Sequence, residues 1–216
     1  MTPVYKYQLI LVVLLLSINA EAQVQVSKEP RHKPVLENQY IRLLDVRLPP
    51  GDTTFYHIHS TPSVFVYLSD NYTATQVQGG EWIYDSAVAG KAWYRSFTPD
   101  TLIHRVVNAS NKTFHVNDIE ILSGYGNVDF EPLSLPVIFE SDKAIAYSIR
   151  IIEKHTINNR GPMVAELVEG DEVTFYEKYS NRTKKLKPGD YLYIPPKASF
   201  YFSSNGKVNM VLFEIK

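Results

Sequence analysis

Short runs of apolar residues, many of them alternating with polar ones, follow one another along almost the whole chain. Examples are 40–48 (YIRLLDVRL), 64–68 (VFVYL), 72–77 (YTATQV) and 114–122 (FHVNDIEIL). These runs are rich in β-branched and aromatic residues and are bounded by Pro, Gly, Asn or Asp, as strands are. Beyond residue 22, no apolar stripe of helical period lasts longer than a turn or two. The pattern predicts an all-β protein of sandwich or barrel type.

The same order of predicted strands occurs twice along the chain. Residues 35–47 (VLENQYIRLLDVR) are echoed by 138–150 (IFESDKAIAYSIR), and 118–121 (DIEI) by 212–215 (LFEI). Self-similarity at this spacing is the signature of a repeated structural unit. We therefore predict two tandem barrels, at 30–123 and 136–216, joined by a linker at 124–135.

The N-terminal segment differs from the rest of the chain. Lys6 precedes the apolar run 9–16 (LILVVLLL), and Ala20 and Ala22 form an Ala-x-Ala arrangement after it. The run is too short to span a bilayer, and small residues at this spacing are typical of a cleavage site. We predict a signal peptide over 1–22, a secreted or periplasmic mature chain, and no membrane association after cleavage; the alternative is an N-terminal anchor helix.

Composition narrows the function further. The 216 residues include no cysteine, and their formal net charge is −1. An exported chain without cysteine must derive its stability from its core, because it has no disulfide, and it offers no thiolate ligand or nucleophile. There is no basic surplus to bind nucleic acid, so we expect no nucleic-acid partner.

Three histidines form the candidate site. His57 and His59 are two residues apart in a predicted strand, so their imidazoles would project from the same face. His104 follows a turn at Pro99 and opens the β-branched run 105–107, and an antiparallel strand there could deliver a third ligand. Three imidazoles with open coordination positions suit zinc, iron, copper, nickel or manganese. The alternative is that these histidines are structural, with satisfied hydrogen bonds.

These residues resemble the two sequence motifs of the cupin family. The first motif is matched by Gly51, His57 and His59, and the second by Pro99, His104 and Asn108. The chain departs from the motifs where the family has a metal-binding glutamate and two glycines: these places hold Val64 (Ser63 in the shorter spacing), Asn71 and Thr101. The resemblance implies two tandem cupin-type barrels, each a double-stranded β-helix or jelly roll.

The second copy lacks the histidines. Residues 187–204 keep the frame of the second motif, but Phe200 stands at the histidine place and Ser204 at the asparagine place. Counting back from Gly170 puts Met163 at the glutamate place and Thr156 and Asn158 at the histidine places. A phenyl ring and a thioether do not replace imidazole at a hard divalent ion. We therefore predict a degenerate C-terminal barrel.

The resemblance implies one divalent metal ion, iron, zinc or manganese, held by His57, His59 and His104. Iron would point to a three-histidine dioxygenase, whereas zinc or manganese would suit a hydrolase, lyase or isomerase. The expected partner is a small molecule, and the expected assembly is a monomer or homodimer. The alternative function is a non-catalytic double barrel that binds a ligand or partner and keeps a vestigial site.

The surroundings of the site can also be predicted. Alternation from the glutamate place would put Val64, Val66 and Leu68 on the cavity wall, and Asn108 would orient a strand end or a ligand. His115 could face either the cavity or solvent. Core or barrel packing, with a substrate platform as the alternative, is the expected role of five other aromatic residues: Tyr56, Trp82, Tyr84, Trp93 and Tyr94.

Overall fold

The computed structural model describes residues 23–126, 131–152 and 156–216, so the predicted signal peptide lies outside the described residues. Regular structure in these ranges is β-strand, apart from one 3-10 helix at Val26–Lys28. The strands are β1 (Val24–Gln25), β2 (His32–Glu37), β3 (Ile41–Leu48), β4 (His57–His59), β5 (Ser63–Tyr67), β6 (Asn71–Val77), β7 (Trp82–Ala87), β8 (Ala92–Arg95), β9 (Leu102–Asn108), β10 (Phe114–Ile121), β11 (Val137–Glu140), β12 (Ala144–Ile149), β13 (Ile157–Asn158), β14 (Met163–Gly170), β15 (Val173–Glu177), β16 (Thr183–Leu186), β17 (Tyr191–Ile194), β18 (Ser199–Ser203) and β19 (Val208–Ile215). The predicted all-β fold is confirmed. In the described part of the chain, no helix has the length and apolarity needed to cross a membrane.

The described strands form four sheets, two in each half of the chain. Strands β1 to β10 form the sheets β1-β4-β9-β6-β7 and β2-β3-β10-β5-β8. Strands β11 to β19 form the sheets β11-β12-β19-β14-β17 and β13-β18-β15-β16. We call these halves the N-terminal unit and the C-terminal unit. Among the described strands each sheet keeps two open edges, so each unit is a jelly-roll sandwich rather than a closed barrel.

The two units share one strand order. If β2 to β10 are matched in sequence with β11 to β19, both sheets of the N-terminal unit become those of the C-terminal unit. The exception is β1, which has no counterpart and pairs in parallel with β4. The limits predicted for the domains, 30–123, 124–135 and 136–216, stay a prediction.

Three apolar cores lie among the residues that the structure describes. One lies inside the N-terminal unit, built on Leu44, Leu48 and Phe114, and one inside the C-terminal unit, built on Phe175 and Phe200. The third lies between the units and joins residues of both: Leu43, Val64, Val66, Ile119, Val164 and Phe213. Burying a side chain of this size contributes about 1.5 to 3 kcal/mol, so the contact between units is part of the folding core.

The shared core corrects the prediction for β5. Val64, Val66 and Leu68 pack in the core between the units and not on the cavity wall. The opposite face of the strand carries Phe65 and Tyr67, which line the cavity of the N-terminal unit. Both faces of β5 are covered, so apolar alternation alone does not reveal which face is inward. In the shorter motif spacing the glutamate place falls on Ser63, which shares a face of β5 with Phe65 and Tyr67.

Candidate metal centre

The three predicted histidines lie on adjacent strands of one sheet. His57 and His59 project from the same face of β4, and His104 on β9 is the direct antiparallel partner of His57. Their ring centroids lie 4.6 to 5.0 Å apart. One nitrogen from each ring can be chosen so that all three lie within 4.8 Å of one another. The structure thus brings together three residues that are separated by up to 47 positions in the sequence.

The imidazole nitrogens are buried without the partners that a structural histidine would have. Nε2 of His57, Nδ1 of His59 and both nitrogens of His104 are buried and make no hydrogen bond. Nδ1 of His57 lies 2.9 Å from the carbonyl oxygen of Phe55, which fixes its proton there and leaves Nε2 as an acceptor. Buried polar atoms without partners are rare in native structures, and a metal ion among the three rings would bind one nitrogen of each.

Burial keeps the three rings neutral. It lowers the pKa of His57 to about 4, assisted by the neighbouring His32. Burial also lowers the pKa of His59 and His104 well below the ordinary value, and the other imidazoles add to the effect. Neutral imidazole is the form that binds metal, so the residues present fit a divalent ion.

The cavity in front of the histidines has a volume of about 230 Å³. Its walls combine aliphatic and aromatic side chains: Phe65 stacks on Trp93 with centroids 5.0 Å apart, and Phe97 stacks on His59 at 4.9 Å. Arg95 is exposed, lines the cavity, and places its guanidinium carbon 5.0 Å from the centroid of Phe97. An apolar wall with a few polar groups is the usual construction of a small-molecule pocket.

A fourth histidine at the cavity was missed in the sequence. His32 opens β2, lines the cavity and lies 4.6 Å from His57 between ring centroids. Its Nδ1 is 2.8 Å from Oε2 of Glu29, and Glu29 also accepts hydrogen bonds from the backbone N–H groups of Arg31 and Phe55. The only sequence signal is a glutamate three residues before a histidine, and this is too common to single out a site.

Burial raises the pKa of Glu29, but the hydrogen bond and charge of His32 and the two backbone donors outweigh it and hold the pKa below its ordinary value. Glu29 therefore stays ionised, and its contact with Nδ1 orients the ring of His32 at the cavity.

A carboxylate at the cavity was also missed. Asp118 on β10 lies opposite Phe65 of β5 and lines the cavity. Its Oδ2 is 3.6 Å from Nδ1 of His59. The glutamate of the cupin motif would come from β5, where the cavity face of this chain has Ser63 instead. The nearest carboxylate to His59 thus comes from a different strand.

Two other predicted residues support the fold instead of the cavity. Nδ2 of Asn108 donates to the carbonyl oxygens of Leu48 and Lys112, at 2.8 and 2.7 Å, so Asn108 ties down a strand end. His115 faces neither cavity nor open solvent. It is 8% exposed and its Nε2 lies 2.8 Å from Asp45 on the side of β10 that carries the shared core.

The aromatic residues predicted to pack in the core divide into several groups. Tyr94 packs against the shared core, as predicted, and Tyr56 and Trp82 flank the guanidinium of Arg105 at 4.7 and 5.0 Å. Trp93 packs on Phe65 in the wall of the cavity. For Tyr84, which is 55% exposed, the prediction is wrong. Alternation places an aromatic ring on a face, but it does not say what covers that face.

The C-terminal unit is apolar where the N-terminal unit carries its histidines. Phe200 and Met163 are fully buried in the interior core of that unit. Phe200 lies opposite Ile157 on β13, the position that His57 holds opposite His104. The strand pairing therefore puts Ile157, and not the predicted Thr156, in the place of His57. Counting positions back from Gly170 assumed a loop of constant length before β14.

Comparisons with known proteins match these observations at the level of the fold. No protein-family model matches the sequence, and neither does any curated protein. Among solved structures, AerE from Microcystis aeruginosa is 15% identical and covers 87% of this chain and 98% of its own, with a TM-score of 0.59. Protein Ylba from E. coli is 12% identical, with coverages of 87% and 85% and a TM-score of 0.61. Salicylate 1,2-dioxygenase from Pseudoaminobacter salicylatoxidans, in adducts with gentisate, is 13% identical, with coverages of 83% and 70% and a TM-score of 0.58.

The fold is that of the cupins. At identities of 12 to 15%, the likeness covers the arrangement of strands in both units and not the chemistry. The chemistry must be derived from the residues in the cavity.

Proposed function

We propose that the N-terminal unit binds one divalent metal ion, iron, zinc or manganese, through His57, His59 and His104. The observation that carries this proposal is the set of convergent, neutral and buried imidazole nitrogens that have no protein partner. Three imidazoles leave open coordination positions, and the cavity of about 230 Å³ in front of them would admit a small molecule.

We propose further that the site acts on a small molecule as an oxygenase-, isomerase- or hydrolase-type enzyme. A bound ion would supply Lewis-acid polarisation or activation of water, or oxygen activation if it is iron. His32, oriented by Glu29, would exchange a proton with the substrate, and the apolar walls would exclude water. Arg95 would attract an anionic group at the edge of the cavity. The adduct of the dioxygenase neighbour with gentisate supports a small-molecule substrate.

The duplicated strand order supports a bicupin whose second unit has lost its site. We propose an exported protein, secreted or periplasmic, because of the sequence pattern over 1–22. We propose that the protein is a monomer or a homodimer and has no nucleic-acid partner.

A non-catalytic binding protein is the second candidate. It is favoured by the missing glutamate on β5 and by the apolar interior of the C-terminal unit. In that case the same cavity would bind a ligand without converting it, and the histidines would be vestigial.

Metal content of the purified mature chain tests the proposal. We expect about one equivalent of metal by elemental analysis, and none in a variant with His57→Ala and His59→Ala. His115→Gln is the matched control, because His115 lies outside the cavity, and it should retain the metal. A wild-type chain that contains no metal and takes up none of iron, zinc or manganese when offered would refute metal binding and leave the binding protein.

A further inference from the structure

Asp118 is a buried carboxylate for which the fold supplies no adequate partner. The residue is 1% exposed, and neither carboxylate oxygen makes a hydrogen bond. The hydroxyl of Ser63 lies nearby, but it donates to the carbonyl oxygen of Thr61 at 3.1 Å. Leaving such a group unpaired costs free energy, since ionised carboxylates in protein interiors are normally paired or coordinated to a metal.

The position of Asp118 relates it to the histidines. It belongs to the inward face of β10, together with Phe114 and Val116, and lines the same cavity as His57, His59 and His104. Its Oδ2 approaches Nδ1 of His59, itself buried and unpaired, to 3.6 Å. A movement of roughly half an ångström would bring the two atoms within hydrogen-bond distance.

The three histidines by themselves leave a charge uncompensated. Neutral imidazoles contribute no charge, so a divalent ion among them would carry its full charge into a cavity with apolar walls. Burial of such a charge is costly unless an anion lies nearby. Glu29 is paired with His32 at 2.8 Å, and Glu120 with Arg42 at 2.8 Å, whereas Asp118 lines the cavity itself without a hydrogen-bond partner.

We propose that Asp118 is the anionic positioning residue of the metal centre, accepting the Nδ1 proton of His59 and turning the other ring nitrogen of His59 toward the ion. The inference rests on the proposed metal site. Asp118 lies on β10 and acts through His59. It thereby supplies the negative charge that a glutamate on β5 would have placed at the ion. A carboxylate behind a ligating histidine fixes the tautomer and orientation of the ring and raises its basicity.

This role implies opposite effects on metal affinity and on the stability of the metal-free chain. Asp118→Asn keeps the shape of the side chain and removes its charge. Metal affinity should fall by about 10- to 100-fold, the usual loss when such a partner is removed. The metal-free protein should become more resistant to denaturant, since an uncompensated buried carboxylate has been removed.

The experiment measures zinc affinity by competition with a chromophoric chelator, and the urea midpoint of the metal-free protein, for wild type and three variants. Asp118→Asn is compared with Asp45→Asn, whose carboxylate pairs with His115 outside the cavity, and with the His57→Ala/His59→Ala variant. We expect Asp45→Asn to bind zinc as wild type does, and Asp118→Asn to bind it 10- to 100-fold more weakly with a raised urea midpoint.

Each alternative outcome has a separate meaning. If wild type binds zinc through the histidines and Asp118→Asn binds it equally tightly, Asp118 has no role and the metal site stands. If Asp118→Asn lowers both affinity and the urea midpoint, Asp118 is structural and the inference is refuted. If wild type binds no zinc, iron or manganese, the metal site and the role of Asp118 both fail.

Discussion

Glu166 should make the stability of the protein fall as the pH rises from about 4.5 to about 8. Its carboxyl group lies in the shared core between the two units, where Nδ2 of Asn117 donates to Oε1 at 3.0 Å. Oε2 of Glu166 and Oδ1 of Asn117 are both buried acceptors without a partner. A proton on Glu166 would provide the missing donor, so the protonated form fits this environment better than the charged form.

Burial raises the pKa of Glu166 to about 8, with the hydrogen bond from Asn117 opposing the rise and the charge of Asp45 adding to it. The folded-state pKa thus exceeds the unfolded value of about 4.5, and the folded chain retains a proton that the unfolded chain loses. The contribution of Glu166 to stability is complete below about pH 4.5 and is lost as the pH rises toward and through 8. The difference between the two pKa values corresponds to roughly 5 kcal/mol at alkaline pH.

Glu166→Gln tests this reasoning, since the amide is neutral at all pH values and can still accept from Asn117. We would measure urea unfolding of the wild type and the variant from pH 5 to pH 9. The free energy of unfolding of the wild type should fall relative to the variant as the pH rises, by several kcal/mol over this range. Other titrating groups are common to both chains and cancel in the difference. Parallel pH profiles would show that Glu166 is ionised throughout, and would refute the assignment.

Two further predictions concern residues outside the histidine cluster. Glu29→Gln should lower the free energy of unfolding by about 1 to 3 kcal/mol at neutral pH. Because the pKa of Glu29 is lowered in the folded state, its contribution is present above the ordinary value of 4.5 and is lost as the pH falls through the folded value. Urea unfolding at acidic pH should therefore depend less steeply on pH in the variant than in the wild type. Phe213→Ala removes a fully buried ring from the shared core and should lower the free energy of unfolding by about 3 to 5 kcal/mol. Calorimetry should show a single cooperative transition. Unfolding of the C-terminal unit alone, with the N-terminal unit still folded, would contradict the shared core.

Sequence patterns predicted what depends on local geometry. The all-β fold follows from the alternation, and the convergence of His57 with His59 follows from their spacing on one strand. His104 required a resemblance to motifs, because the antiparallel register that places it opposite His57 is set by the whole sheet. The same dependence on pairing explains why Asp118 was missed, since nothing in its neighbourhood marks the face of β10 on which it lies.

The wrong prediction for the inward face of β5 and the correct prediction for the shared face of β4 both rest on the alternation of side chains along a strand. Alternation assigns Phe65 and Val66 to opposite faces, but only the presence of a second apolar surface decides which face looks into the cavity. In this chain the C-terminal unit supplies that surface, and both faces of β5 are therefore apolar. A residue pattern records that a face is buried and not what buries it.

The C-terminal unit has a structural role in the N-terminal unit's fold. Phe200 and Met163 fill its interior, and its other face covers Val64 and Val66 of the N-terminal unit. Without that cover, the sheet that supplies Phe65 and Asp118 to the cavity would expose an apolar surface to water. The second unit thus stabilises the strands that shape the histidine site, so substitutions in the shared core should weaken the site even though they lie outside the cavity.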